Sequence, residues 1–212
     1  GWRDDWALSD IKAISHTHGM IVNDVLLSVL ADALGRYLRE NDTPLDEVRV
    51  MVPVNLRPLD EPLSTDLGNV VGQYVVALPT GALEPLERLA TMHATIEELK
   101  SSPEAVVAYF TLVALGLLPA QVEDLSTQFF SGKVAATVSN VPGPQTPITI
   151  AGTEVAGIIG WVPGAGAVAL GVSMFSYNGR VLIGLIADQD VIPDLSRLQE
   201  LLDDSFADLL RA

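Results

Sequence analysis

Cysteine is absent from these 212 residues, and positive charge is scarce: 12 Lys and Arg stand against 27 Asp and Glu, for a net charge of −15. Without cysteine the chain forms neither disulfides nor thiolate nucleophiles, and nothing points to secretion. A surface this acidic repels nucleic acid and anionic lipid headgroups, which excludes a nucleic-acid partner. An anionic ligand would need a local positive pocket or cations from another segment.

Hydrophobic runs long enough to span a membrane are also missing. The uncharged stretch from Ala105 ends at Pro119, short of the roughly 20 residues that a span needs. It is apolar on nearly all sides, which predicts a helix that is deeply buried or lines an apolar cavity. The amino terminus is neither a signal peptide nor an initiator-methionine start. We therefore expect the chain to be part of something larger or to begin at an artificial boundary.

The hydrophobic periods predict helices and strands in separated groups, which indicates a mixed α/β or α+β fold with one sheet built from distant strands. With 49% hydrophobic and 18% charged residues, the chain is not disordered. The first predicted helix begins at Ser9 or Asp10. The other predicted helices cover 23–40, 85–100, 103–118, 120–130 and 193 to near the end. The predicted strands are 48–54, 70–78, 134–138, 148–150, 153–161, 167–177 and 180–188, with a polar loop at 60–69.

One stretch after a buried strand combines polar side chains with rigid backbone. The strand predicted over 134–138 is followed by Ser139 and Asn140, and then by Pro142, Gly143 and Pro144. The prolines have no amide hydrogen and the glycine can take positive φ, so we expect the strand to stop before them. The stretch is either a rigid turn or a place where polar groups bind a ligand at a strand end.

No complete catalytic set or metal site is predicted from residue chemistry alone. His16 and His18, two positions apart, point to different faces of a helix and do not converge on a metal. His93 lies in a charged helix and is expected to be solvated. Arg57 either forms an ion pair or contacts an anion. Asn23 is expected to be a helix N-cap rather than a substrate-binding donor.

Six short motifs in one order nevertheless resemble a known family. They are 21–27 (IVNDVLL), 52–57 (VPVNLR), 67–69 (LGN), 139–144 (SNVPGP), 176–180 (SYNGR) and 184–188 (GLIAD). Together they resemble the C-terminal half of the bacterial wax ester synthase/acyl-CoA:diacylglycerol acyltransferases, from about Leu8 to the end of the chain.

The resemblance implies the fold of the chloramphenicol acetyltransferase-like, CoA-dependent acyltransferases. This chain would be one half-molecule, 1–212, with a central mixed sheet flanked by helices. Two such halves face each other across a tunnel, where acyl-CoA and a long-chain alcohol or diacylglycerol meet without a covalent acyl-enzyme. No cofactor is implied, and acyl-CoA is a co-substrate. The family's general base belongs to a His-His-x-x-x-Asp-Gly motif in the N-terminal half, which this chain lacks. No catalytic residue is therefore expected here, and the isolated chain should be inactive.

Carried over residue by residue, the resemblance implies supporting roles for Asn23 and Asp24, and substrate or CoA contacts for Ser139, Asn140 and Arg57. Residues implied to be structural are Asn55, Pro142, Gly143, Pro144, Asn178 and Gly179. The implied partner is the N-terminal half, and the implied location is cytoplasmic, with peripheral attachment to membrane or lipid inclusions left open. Two alternatives also stay open: a non-catalytic lipid-binding or scaffolding module, and a relative that acylates a different acceptor.

Overall fold

Most of the helices and strands follow the hydrophobic periods of the sequence. The computed structural model describes residues 1–57, 70–117, 132–164 and 166–212. In this part of the chain the helices are α1 (Leu8–Thr17), α2 (Val22–Glu40), α3 (Pro85–Ser101), α4 (Glu104–Leu115) and α5 (Leu195–Arg211). The strands are β1 (Trp2–Ala7), β2 (Glu47–Asn55), β3 (Val71–Pro79), β4 (Ala136–Pro142), β5 (Thr149–Ile150), β6 (Thr153–Glu154), β7 (Leu170–Tyr177) and β8 (Arg180–Ala187).

Six strands form one mixed sheet in the order β1-β8-β7-β4-β2-β3. The central strand β4 runs parallel to β2 on one side and to β7 on the other. The remaining pairs are antiparallel, and β5 with β6 makes a separate two-stranded hairpin. Strands from distant parts of the sequence therefore share one sheet flanked by helices, and the predicted fold class is confirmed.

The hydrophobic core joins one face of the sheet to α2 and its neighbours. Inward residues alternate along β2, where Val48, Val50 and Val52 are buried. Helix α2 is buried along most of its length, and α5 contributes a leucine-rich face to the same core. Full burial of an aliphatic side chain contributes about 1.5–3 kcal/mol, so α2 is held against the sheet by many contacts.

Strand β1 was not predicted, because its sequence, with three consecutive charged residues in a short run, lacks a clear strand period. It forms through tertiary pairing with β8. Trp6 stacks on Phe206 of α5 with ring centroids 4.4 Å apart, and its Nε1 donates to Asp203 at 3.0 Å. These contacts override the weak local preference of the segment.

The prediction of one long strand over 153–161 was wrong beyond Glu154. From Val155 the chain crosses the outer face of the sheet without joining a ladder. A Cβ added at Gly184 would overlap the carbonyl oxygen of Gly160, and one added at Gly171 would approach Val162. The apolar character of this stretch therefore reflects its close packing on β7 and β8, which glycine makes possible.

Helix α4 is not deeply buried in this chain, contrary to one of the two expectations for it. Only Ala105 is buried, whereas Phe110 is 64% exposed. The helix is anchored at the edge of the sheet, where the Val75 amide donates to the Glu104 carboxylate at 3.0 Å. Within the described residues no single helix has the length and hydropathy of a membrane span; α1 and α2 meet that criterion only together, and they are bent by 101°.

Two predicted elements lie outside the described residues: the loop at 60–69 and the helix at 120–130. The 67–69 motif lies there too.

Candidate functional site

The amino terminus of α2 meets the carboxyl end of β4, and this junction brings together two of the predicted site residues. Asn140, on β4, donates through Nδ2 to Oδ1 of Asn23, in the first turn of α2, at 3.3 Å. Both side chains are half-buried. In open α/β sheets, ligands bind beside the carboxyl ends of parallel strands, so the contact lies where a substrate site is expected.

The pair is left with surplus donors. Asn140 uses one N–H on Asn23, and the contact occupies one lone pair of the Asn23 oxygen. The second N–H of Asn140 and the NH₂ group of Asn23 point to no hydrogen-bond acceptor among the described residues. An amide has two N–H donors and an oxygen with two lone pairs, so this junction can donate to a carbonyl or oxyanion ligand and can also accept a hydrogen bond through the Asn140 oxygen.

The predicted N-cap role of Asn23 was wrong, because the helix begins one residue earlier and the cap hydrogen bond comes from Asp24. Asn23 lies inside the first turn, and Ile21 is the residue before the helix. The Asp24 carboxylate reaches back and accepts the Ile21 amide at 3.1 Å. This is one half of a capping box; Ile21 has no side-chain acceptor to supply the other half.

His93 is not solvated as predicted. Its Nδ1 lies 2.7 Å from Oδ2 of Asp24, whose side chain is completely buried, while the histidine side chain is 32% exposed. The other carboxylate oxygen of Asp24, Oδ1, is buried and has no partner among the described residues. Sequence reasoning missed this pair. Helical spacing was the available signal, since His93 lies four residues after buried Leu89 and three before buried Ile96.

Ser139 and Asn140 do not line one surface. β4 pairs with β7 in register, Ser139 opposite Ser173 and Asn140 opposite Met174. Successive side chains of a strand point to opposite faces of the sheet. Asn140 therefore faces α2, whereas Ser139 is on the face that the 155–164 segment crosses. Their substrate contacts stay predictions, and they concern two different surfaces.

The expectation that β4 stops before Pro142 was also wrong, and the reason locates an opening in the sheet. β2 pairs with β4 only at Val50–Ala136 and Met51–Thr137, then diverges with β3. From Val138 onward β4 has a described strand partner only in β7. The Gly143 amide donates to Ser176 at 2.9 Å, so by alternation the nitrogen of Pro142 faces the open side, where no ladder bond is lost.

The residues after β4 interlock with the β7–β8 turn. Asn178 and Gly179 both have positive φ, as a tight hairpin requires. The Asn178 amide donates to the Pro144 carbonyl at 3.1 Å, and the Gly179 amide donates to Gln145 at 3.2 Å. Gly143 does not have positive φ; a Cβ there would overlap the Phe175 ring and the Ser176 carbonyl. The two motifs thus form one structural unit.

The β2 end is organised by its own side chain. Asn55 accepts the Arg57 amide at 3.0 Å through Oδ1, which closes the turn after the strand. This agrees with the structural role implied for Asn55. Arg57 itself is half-buried, and its anion contact stays a prediction.

Two other regions lie apart from this junction. His16 and His18 are exposed near the end of α1, and no group of three potential metal ligands gathers in the described ranges. A groove of about 810 Å³ lies at the opposite ends of the strands, among residues that include Tyr37, Val48 and Leu170. Its lining contains neither member of the Asn23–Asn140 contact, so we assign the site by its polar groups and not by groove size.

Comparison with known proteins decides the family. Residues 67–210 match the model of the WS/DGAT C-terminal domain. The chain belongs to this family. It is 30% identical over 206 residues to a Mycobacterium tuberculosis protein that carries the provisional name diacylglycerol O-acyltransferase, covering 91% of the chain and 40% of the relative. A second protein of that organism, also provisionally named a diacylglycerol O-acyltransferase, is 27% identical over 209 residues, covering 96% of the chain and 45% of the relative.

Solved structures agree with this assignment and confirm the fold. The wax ester synthase/diacylglycerol acyltransferase from Marinobacter aquaeolei VT8 superposes with a TM-score of 0.70 at 27% identity, covering 99% of this chain and 47% of that one. The epimerization domain of tyrocidine synthetase B superposes with a TM-score of 0.62 at 14% identity, covering 99% and 48%; this likeness concerns the fold alone. The WS/DGAT domain described here thus spans less than half the length of the relatives it matches.

Proposed function

We propose that this chain is the C-terminal half of an acyl-CoA-dependent O-acyltransferase that forms wax esters or triacylglycerol. In this proposal it positions the substrates, and the preceding half supplies the general base. The acceptor hydroxyl loses its proton to that base while its oxygen attacks the thioester carbonyl. The new ester bond forms, the carbon–sulfur bond breaks, and the proton passes to the CoA thiolate.

The observation that carries the proposal is the opening between β2 and β4, with the Asn23–Asn140 contact beside it. Along this opening the backbone N–H and C=O groups of Val138 and Asn140 face away from β7. Pantetheine is an extended chain with two amides, and an unpaired strand edge offers the alternating donors and acceptors that such amides pair with. The surplus amide donors of the asparagine pair suit the thioester oxygen as negative charge develops on it.

Helix α4 supports the acyl part of the proposal. Its exposed side chains are almost all apolar, and they include Val107, Phe110 and Val113. Exposed apolar patches of this kind mark interaction surfaces for proteins or lipid. We assign α4 to the wall of the acyl-chain tunnel, completed by the N-terminal half, and we place the enzyme in the cytoplasm at lipid inclusions or the membrane surface.

An acyl-CoA thiol-release assay tests the proposal directly. This chain contains no cysteine, so it adds no thiol background of its own. The full product of its gene should release CoA from palmitoyl-CoA only when hexadecanol or a diacylglycerol is present, with ester as the second product. The 212-residue chain alone should release none.

Two results would count against the proposal. Acceptor-dependent release by the 212-residue chain alone would show that the base lies within it. Acyl-chain binding by the full gene product without any ester would favour the non-catalytic lipid-binding module instead. Ester formed only with another class of acceptor would keep the enzyme but change its substrate.

A further inference from the structure

One buried ionisable pair has no part in the function proposed above. Asp24 of α2 is completely buried, and its Oδ2 lies 2.7 Å from Nδ1 of His93 on α3. The two residues are 69 positions apart. Removing a carboxylate from water is costly unless hydrogen bonds replace its hydration. A pair of this kind at a predicted substrate site calls for a physical account.

The Asp24 carboxylate depends on two hydrogen bonds, both at Oδ2. One comes from the Ile21 amide at 3.1 Å and the other from His93. The second oxygen is buried without a partner among the described residues. Loss of His93 would leave Asp24 with the Ile21 amide alone. Loss of the His93 contact would therefore carry a high free-energy cost for the buried carboxylate.

The contact also fixes the residue that matters for the proposed site. Asp24 and Ile21 clamp the first turn of α2 from both ends, and Asn23 lies between them in sequence. Asn23 is the residue that accepts the hydrogen bond from Asn140. A chain of direct contacts thus runs from His93 through Asp24 and the first turn of α2 to the asparagine pair.

We propose that His93 is a positioning residue for acyl transfer: it holds Asp24, and through Asp24 it fixes Asn23 against Asn140. This inference rests on the proposed function. The role requires only that Nδ1–H donates to the carboxylate. The opposite nitrogen, Nε2, takes no part in it, so a residue that supplies the same donor without a second ring nitrogen should substitute for histidine.

The matched substitutions are His93→Ala and His93→Asn in the full gene product. The Asn side-chain NH₂ group can occupy the place of Nδ1–H, whereas Ala removes the donor. We expect His93→Ala to lower kcat by about 10- to 100-fold with little change in KM for acyl-CoA, the cost of a small misplacement of catalytic groups. We expect His93→Asn to recover most of that loss. His16→Ala, at an exposed histidine of α1, should leave kcat unchanged.

A spectroscopic measurement separates this inference from the proposed function. In ¹⁵N-histidine-labelled protein, assigned through the His93→Asn difference spectrum, the neutral His93 ring should carry its proton on Nδ1. In His93→Ala the Ile21 amide should exchange with solvent faster than in the parent. If the parent shows no acyl transfer, the proposed function fails, and these two signals alone decide whether His93 fixes α2.

Three results would overturn the proposal. If His93→Ala keeps the parent kcat, the pair contributes only to packing. If His93→Asn is as slow as His93→Ala while both proteins unfold at the parent temperature, Nε2 takes part in proton transfer. His93 is then not merely a positioning residue. If neutral His93 is protonated on Nε2, Nδ1 cannot be the donor that the proposal requires.

Discussion

Asn140 and Asn23 lie 117 positions apart in sequence, yet Nδ2 of the first donates to Oδ1 of the second at 3.3 Å. The contact joins the strand that carries the 139–144 motif to the helix that opens with the 21–27 motif. It depends on the tertiary fold, because the described part of the chain between α2 and β4 already contains β2, β3, α3 and α4. Two of the six motifs that together resemble the WS/DGAT family therefore form one local structure.

Substitution of the asparagine pair should lower acyl transfer more than it lowers stability. We expect Asn140→Ala to reduce kcat/KM of the full gene product by about 10-fold, because it removes an oriented amide donor. The free energy of unfolding should fall by only about 0.5–1.5 kcal/mol. Ser139→Ala, one residue away on the opposite face of β4, tests whether the loss depends on which face of the strand is changed. Equal losses for the two variants would show that the face of the strand does not matter.

A second buried network holds the helices of this site together. The Arg88 guanidinium is 2% exposed and lies 2.8 Å from Asp32 of α2. It also donates to the carbonyls of Pro79, Gly81 and Leu83 at 2.7, 2.9 and 3.0 Å. One side chain thus joins α3, α2 and the turn after β3. A planar group with five donors is needed for four such acceptors.

Loss of Arg88 should destabilise the protein strongly. Arg88→Met keeps much of the volume but removes the donor of three half-buried carbonyls and one of the two arginine partners of Asp32, so we expect the free energy of unfolding to fall by about 3–5 kcal/mol. Arg88→Lys should recover only part of this, because an ammonium lacks the planar fork. Arg49→Met, which removes an exposed ion pair with Glu47, should change it by less than about 1 kcal/mol. Urea unfolding of all three measures the contrast, and an Arg88 effect no larger than that of Arg49 would contradict it.

The sequence could predict the central sheet because its strands carry the signals that local physics supplies. β2 alternates in burial, and the Asn178–Gly179 turn needs positive φ at both positions. Features that depend on tertiary contacts could not be predicted from the sequence in this way. β1 forms only because β8 offers a partner, and the apolar 155–164 stretch packs across the sheet without pairing. A short apolar run does not by itself distinguish these cases.

The candidate site could be predicted only in part, because local sequence identified its residues but not their tertiary contacts. Asn23, Asp24 and Asn140 came from motifs, and the structure brings Asn23 and Asn140 into contact. Their geometry required knowledge of the sheet: only the parallel register with β7 shows that Ser139 and Asn140 face apart. The partner of Asp24 was missed because the helix of His93 carries Glu87, Arg88, Glu97 and Glu98, which suggested a solvated helix. A buried carboxylate on another helix is invisible to that local pattern.

Acid should destabilise the contact between α2 and α5. A hydrogen bond from Arg36, at 2.5 Å, lowers the pKa of Asp208 from its ordinary value of 3.8 against the opposing effect of partial burial. Since the folded-state pKa is below the unfolded one, the stabilisation is present above pH 3.8 and is lost as pH falls through the folded-state pKa. Asp208→Asn should therefore flatten the decline of unfolding free energy in this acidic range.

The same measurement on Arg36 provides the check. Arg36→Gln removes the larger of the two donors that lower the pKa of Asp208, the other being Arg211. It should therefore flatten the same range in part, and the double variant should flatten it no further than Asp208→Asn does. Unfolding free energies taken from pH 7 down to the acid limit of the folded state give the three slopes. A steeper decline in Asp208→Asn than in the parent would mean that the sign of the linkage is opposite.

The apolar surface of α4 should make the 212-residue chain self-associate. Val107 and Phe110 are 58% and 64% exposed, and exposed apolar patches without a partner promote association. We expect Val107→Ser with Phe110→Ser to raise the monomer fraction in sedimentation velocity. In the full gene product the same pair should lower stability instead, because the patch would be covered there. If the association of the isolated chain is unchanged, its self-association surface lies outside α4.

Two glycines beside the site should respond differently to the same substitutions, because they are required for different reasons. Gly179 has φ +76° and no atom within 4 Å of an added Cβ, so its constraint is the backbone angle. Gly179→Ala should lower the free energy of unfolding by about 1–2 kcal/mol, the penalty for an L-residue in the left-handed backbone conformation. Gly179→Asn should cost less, since Asn tolerates that conformation.

Gly143 has the opposite constraint. Its φ is not positive, but an added Cβ would overlap the Phe175 ring and the Ser176 carbonyl. Both Gly143→Ala and Gly143→Asn should therefore cost about 1–3 kcal/mol through overpacking, with no relief from Asn. Because Gly143 donates to Ser176 directly after the strand that carries Asn140, kcat/KM of the full gene product should fall as well. Thermal unfolding of the four variants decides the matter: recovery by Asn at 143 as well as at 179 would mean that backbone angle, not space, limits both positions.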